Sequence, residues 1–184
     1  MDTVLFALWF FLPAGVANAA PILAAKLPYL SRLSAPIDFG KEFNGIRILG
    51  SNKTWRGLAV GILAAICVVY IQQLITQHSY VEFIPEVAEN YLFHSPLLLG
   101  FLFGFGTLTG DAVESFFKRQ KRIAPGKAWF PFDQIDYIIG GCLAAALVVQ
   151  LGITEYAAIF AFWFLMHLLF SYIGYLLNLK KAPI

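Results

Sequence analysis

The sequence is poor in charge. Only 13% of its 184 residues are Asp, Glu, Lys or Arg, where a soluble domain carries roughly 25%. With 59% hydrophobic residues and a mean hydropathy of +0.72, that shortage excludes an ordinary water-soluble fold and points to an integral membrane protein. Cysteine is scarce as well. Cys67 and Cys142 both lie inside apolar runs, which excludes a disulfide framework or zinc-ligand spacing and leaves two small buried hydrophobes. No Ser/His/Asp or Cys/His set suited to nucleophilic catalysis is present. His78 and His94 lie apart from the cations, and His167 is alone in the last apolar run, so all three are left out of the site. A basic leader is also missing. Ala17-Asn18-Ala19 resembles a signal-peptidase site, but the residues before it carry Asp2 and no cation, so this stretch reads as a retained first membrane helix. There is no internal repeat and no low-complexity tract.

What is present is a set of long apolar runs. Five segments approach the roughly 20 helical residues needed to cross a hydrocarbon core: Val4–Ala25, Gly57–Gln77, Pro96–Phe117, Ile135–Gly152 and Tyr156–Leu177. The fourth is slightly short. Backbone groups cannot stay unpaired in lipid, so the segments are predicted to be helices. The expected fold is an all-α integral membrane bundle of about five transmembrane helices, with residues 1–184 as a single membrane-embedded domain. Two loops would form its polar site.

All 13 Lys and Arg fall on one side of this arrangement. Six lie in Lys26–Arg56, five in Lys118–Lys127, and two in the tail at Lys180 and Lys181. The loop around His78–Ser95 has none and carries Glu82, Glu86 and Glu89 instead. The positive-inside rule then puts the N-terminus outside, and both cationic loops and the C-terminus in the cytosol. The expected location is the plasma membrane, multi-pass. The third span carries Gly100, Gly104, Gly106 and Gly110, in GxxxG spacings that permit close helix packing.

The chemistry-bearing residues gather at the cytosolic rim. Asp111, Glu114, Ser115 and Lys118 follow i, i+3, i+4 and i+7 and share one helix face. Asp133 and Asp136 bracket the start of the fourth span. Ionisable groups at such depth are costly and tend to be functional. Three aspartates, Asp111, Asp133 and Asp136, at the mouths of adjacent helices suit Mg²⁺, which favours a few carboxylates together with phosphate oxygens and water. The same acids could instead pair with Lys118, Arg119 or Lys121, and Asp133 and Asp136 could cap a helix. Asn18 lies at a depth similar to that of Asp111 and reads either as part of a shared polar cavity or as an interhelical hydrogen-bonding group. Lys26–Arg56 is long for a connector, and its Pro28, Pro36, Gly40, Gly45 and Gly50 speak against continuous helix. It ends in Gly50-Ser51-Asn52-Lys53-Thr54-Trp55-Arg56-Gly57. Glycines, hydroxyls and two cations beside a helix start fit a phosphate cradle, though the run is too short for a Walker loop.

These residues resemble the CTP:phosphatidate cytidylyltransferase family, and within it the short CDP-archaeol synthase branch. The resemblance rests on Ser115-Phe-Phe-Lys118-Arg119, Lys127 and Asp133-Gln134-Ile135-Asp136. It extends to Pro13-Ala14, Asn18 with Pro21, Pro36-Ile37-Asp38, Lys53-Thr54-Trp55-Arg56-Gly57 and Gly110-Asp111. Bacterial members usually carry Arg where Gln134 stands and a His-Gly-Gly run where Trp129-Phe130-Pro131-Phe132 stands. Gln134 and the short length favour the archaeal branch, which often shows Asp-Gly where Asn44-Gly45 stands.

The resemblance implies a nucleotidyltransferase. CTP and a geranylgeranyl-ether glycerol phosphate would give CDP-lipid and pyrophosphate in phospholipid biosynthesis. Mg²⁺ is the implied cofactor, with Asp111, Asp133, Asp136 and Lys118 as the catalytic set. Asn18, Asp38, Asn52, Lys53, Thr54, Arg56, Glu114, Ser115, Arg119 and Lys127 would contact substrate. The implied partners are CTP, a lipid phosphate and the bilayer, with no nucleic acid. Three alternatives stand beside this reading. One is a diacyl-lipid cytidylyltransferase. Another is a small transporter with a charged vestibule, which would spread polar groups through the full membrane thickness. The third is a CDP-alcohol phosphotransferase, whose Asp-Gly-x-x-Ala-Arg array is not found here.

Overall fold

The structure, a computed structural model, describes residues 2–26, 32–78 and 94–177. Pro28, Glu82, Glu86, Glu89, Lys180 and Lys181 lie outside the described residues, as does most of the segment between the second and third helices. The described residues form five helices, α1 (Asp2–Ala24), α2 (Trp55–His78), α3 (Pro96–Gln120), α4 (Phe132–Ala145) and α5 (Ile153–Leu176). A two-residue-per-strand hairpin, β1 (Glu42–Phe43) and β2 (Ile46–Arg47), lies between α1 and α2. Helices α1, α2, α3 and α5 are long and apolar enough to cross a membrane.

The fourth span differs from expectation. Ile135–Gly152 was expected, whereas α4 runs from Phe132 to Ala145 and gives way to turns before Gln150. Its 14 residues extend about 21 Å, short of the roughly 30 Å core. The earlier start matters for function, because it puts Asp133 and Asp136 in the first turns of the helix.

Two prolines explain how α1 binds its neighbours. Proline has no N–H, so it leaves the carbonyl four residues earlier without its helical partner. Pro13 frees the Trp9 carbonyl, and Gln72 of α2 donates its amide to that oxygen at 2.5 Å. Pro21 likewise frees the Ala17 carbonyl, which faces Gly61 of α2. A Cβ on Gly61 would stand 3.0 Å from that oxygen. In lipid such a carbonyl has no water to turn to, so α2 is drawn close.

The core is aromatic. Phe10 and Phe11 of α1 meet Phe103 of α3 edge-on, with ring centroids 5.2 and 5.9 Å apart. Phe11 also packs on Trp163 of α5. The polar tips are satisfied: Trp163 Nε1 donates to the Ala7 carbonyl and Tyr137 Oη to the Trp163 carbonyl, both at 2.9 Å.

Helix α3 is the hub. Gly100 and Gly104 abut the backbone of Ile66 and Ile62 in α2, whereas Gly106 and Gly110 abut Gly140 and Asp136 in α4. The small residues thus form two faces, one for each neighbouring helix.

Candidate active site

The α3–α4 contact builds the site. A Cβ on Gly110 would run into the Asp136 carbonyl oxygen, and one on Gly140 into the Gly106 carbonyl oxygen. The helices run antiparallel, so Asp136 comes level with Asp111 and Glu114, and one carboxylate oxygen from each lies within 4.8 Å of the others.

The expected grouping of Asp111, Asp133 and Asp136 is therefore not the one the fold makes. Asp133 lies one turn closer to the helix start, opposite Lys118. Its Oδ1 accepts from Lys118 Nζ at 2.5 Å and its Oδ2 from the Trp129 backbone N–H at 2.8 Å. Glu114 takes the place expected for Asp133. It is buried, its Oε1 accepts no hydrogen bond among the described residues, and it pairs with Lys118 Nζ across 3.7 Å.

The three carboxylates open into a cavity of about 610 Å³. Asn18 and Pro21 of α1 line it, as do Gly50 through Thr54 of the loop and Arg56 at the start of α2. From α3 come Asp111, Glu114, Ser115, Lys118 and Arg119, and from α4 come Asp133 and Asp136. Lys53 Nζ donates to Asp111 Oδ2 at 2.5 Å, tying the loop to α3. Arg119 is 8% exposed, yet its Nε and Nη1 meet no acceptor among the described residues. Buried guanidinium N–H groups without an acceptor are costly, and an anion in the cavity would supply one.

Several expected contacts have other duties. Thr54 lines the cavity, but its Oγ1 accepts from the Gly57 backbone N–H at 3.1 Å and caps the start of α2. Asp38 does not line the cavity. Its carboxylate accepts from the backbone N–H groups of Gly40, Leu49 and Gly50 at 3.0–3.1 Å and from the Arg47 guanidinium, and so folds the loop that presents Gly50. Burial alone would raise the Asp38 pKa, but Arg47 and the three backbone donors outweigh it and hold the carboxyl well below the usual range. Lys127 is exposed and does not itself line the cavity, although Pro125 and Gly126 before it do.

One residue left out of the site belongs in its surroundings. His167 of α5 lines the cavity, its ring centroid 5.6 Å from that of Tyr137. A lone histidine in an apolar run carried no signal, and only the docking of α5 brings it in. The hairpin was also missed. Asn44-Gly45 between Phe43 and Ile46 is the turn signature, and both turn residues take positive φ, 54° and 70°.

A family model described as CarS-like CDP-archaeol synthase matches residues 1–184. The chain belongs to the CDP-archaeol synthase family. The CDP-archaeol synthase of Thermococcus gammatolerans is 31% identical over 184 residues, spanning 100% of this chain and 98% of the relative. That of Pyrobaculum calidifontis is 34% identical over 172 residues, spanning 93% and 92%. That of Methanocaldococcus jannaschii is 33% identical, spanning 97% of each. A solved structure of an intramembrane enzyme for archaeal membrane lipid biosynthesis superposes with a TM-score of 0.71 and 28% identity, covering 91% of this chain and 94% of that one. The resemblance read from the signature residues, and the multi-pass helical membrane fold, are both borne out.

Proposed function

We propose that the chain transfers the cytidylyl group of CTP to the phosphate of an archaeal ether lipid, giving a CDP-archaeol-type lipid and pyrophosphate. The observation that carries the reading is the meeting of Asp111, Glu114 and Asp136 in a cavity whose other walls hold Lys53, Arg56, Lys118 and Arg119. Three hard oxygen donors, one of them the buried Glu114 Oε1, which accepts no hydrogen bond among the described residues, fit Mg²⁺. Asp111, Glu114 and Asp136 would hold it, with Asp133 positioning Lys118. When bound, Mg²⁺ supplies charge neutralisation to the nucleotide phosphates.

The chain's own residues then have to align and neutralise. A phosphate monoester is largely dianionic near pH 7, its second pKa being about 6, so a lipid phosphate oxygen can attack the α-phosphorus of CTP without a strong base. The new P–O bond forms as the bond from the α-phosphorus to the oxygen bridging to the β-phosphorus breaks, and that electron pair leaves with pyrophosphate. Arg119 and Lys118, buried beside the carboxylates, neutralise the growing charge on the leaving group. Lys53 and Arg56, on the loop side, hold the incoming phosphate. Asn18, Asn52 and Ser115 supply neutral hydrogen bonds. Such pre-set alignment and charge are the main resources for this reaction class.

We place the N-terminus outside, the site at the cytosolic face of the plasma membrane, and residues 1–184 in one domain. The Phe10–Phe11–Phe103 core seals the bundle beyond the cavity, which favours an interfacial enzyme over a transporter. The test is conversion of CTP and a geranylgeranyl-ether glycerol phosphate by the purified chain, read as pyrophosphate and CDP-lipid. Activity should vanish in EDTA, return with Mg²⁺ and be lost in Asp136→Asn. Full turnover in EDTA or in that variant would refute the proposal, and preference for diacyl phosphates would transfer it to the bacterial-type substrate.

A further inference from the structure

The loop between α1 and α2 carries a feature that catalysis does not use. Phe39 is 67% exposed and Phe43 52% exposed, in a segment otherwise set with Lys41, Glu42 and Asn44. Phe39 also takes φ 51°, a backbone region that a bulky side chain avoids. Strain of this kind persists where surrounding structure enforces it. Here the enforcement comes from Asp38, whose oxygens collect the backbone N–H groups of Gly40, Leu49 and Gly50. The loop is built so that an aromatic ring stands outward.

The location of the two rings identifies what they meet. Phe39 lies 6.2 Å, centroid to centroid, from Trp55, the first residue of the membrane helix α2. Phe43 lies 6.1 Å from Phe116, one turn from the end of the membrane helix α3. Trp55 and the neighbouring Phe117 are themselves exposed, at the ends of helices whose outer surfaces face lipid. Both loop rings thus continue the lipid-facing surface of the spans beside Trp55, a residue type that favours the membrane–water boundary, at the depth where Phe side chains of interfacial segments are buried. Lys41 lies between them in sequence and is exposed, as is Arg32, where anionic head groups would be met.

We propose that residues 32–54 lie on the bilayer surface, with Phe39 and Phe43 inserted at head-group depth as an interfacial anchor. The occupant of this face is the lipid of the surrounding membrane. The anchor holds Gly50 through Lys53, and with them the cavity mouth, at the level of lipid phosphates rather than in bulk water. The inference depends on the membrane-spanning fold and not on the catalytic reading, so the two can fail separately.

The test uses the full chain in single-copy nanodiscs containing anionic lipid. Cysteine is placed at position 39, 41 or 43, in a background with Cys67 and Cys142 replaced by Ala, and labelled with an environment-sensitive fluorophore. Labels at 39 and 43 should emit to the blue of the label at 41 and be quenched by lipids brominated near the head group. Equal, water-like emission at all three positions would overturn the proposal. As a second measurement that keeps both native cysteines, p-benzoylphenylalanine at 39 or 43 is irradiated in native membranes. Lipid adducts support the anchor, whereas cross-links to a second copy or another protein, without lipid adducts, overturn it.

Discussion

Replacing Gly110 by alanine tests whether the α3–α4 contact sets the geometry of the site. The added methyl would sit 3.1 Å from Gly140 Cα and closer still to the Asp136 carbonyl oxygen. Ordinary carbon–carbon contact is about 3.5–4.0 Å, so the helices must part by roughly half an ångström to one ångström. Overpacking of this kind costs about 1–3 kcal/mol, partly offset by the roughly 1 kcal/mol that Ala gains over Gly in a helix. The net loss of stability is therefore small. The functional loss is not, because the moving backbone is that of Asp136 and a misplacement of about 1 Å can cost on the order of 10²-fold in rate. Gly104→Ala is the matched control. It crowds Ile62 of α2 in the same way but lies nearly two turns from Asp111. The assay is CDP-lipid formation alongside Mn²⁺ binding by electron paramagnetic resonance, with thermal unfolding in detergent. Gly110→Ala should lose about two orders of magnitude in rate and bind metal more weakly, while Gly104→Ala keeps most activity at a similar melting temperature. Full activity in Gly110→Ala, or equal inactivation of both folded variants, would refute the reasoning.

Arg119→Gln should weaken CTP binding by roughly 10²-fold, or about 2–3 kcal/mol, yet leave the thermal midpoint unchanged or higher, since it removes a buried charge whose Nε and Nη1 meet no acceptor among the described residues; calorimetric titration and thermal unfolding read the two effects. Asp38 has a depressed pKa in the fold, so its stabilisation of the loop is fully present above the unfolded value of about 3.9 and is lost as pH falls toward the folded value. Hydrogen-exchange protection factors at Gly40, Leu49 and Gly50, taken relative to the intrinsic rate at each pH, should stay constant at pH 5–7, fall below about pH 4, and lose that dependence in Asp38→Asn. Gln72→Leu should cost about 1–3 kcal/mol of stability by removing the amide donor to the Trp9 carbonyl, read by thermal unfolding in detergent; a variant as stable as the parent would show that this bond does not hold α2 to α1.

Composition and periodicity alone determined that this is a helical membrane protein, placed four of its helices within a few residues, and put Asp111, Glu114, Ser115 and Lys118 on one face. Those properties are local: hydrophobic length sets a span, and a 3.6-residue repeat sets a face. The partners across helices were not legible. Asp133 and Glu114 are both one turn from another acid in sequence, and spacing gives no reason to prefer either for the cluster. The choice was made by the register of α3 against α4, which follows from which glycines let backbones touch. The placing of His167 by α5 has a cause of the same kind. Both depend on where separate segments meet, and a side chain's chemical type carries no record of its neighbour across the bundle.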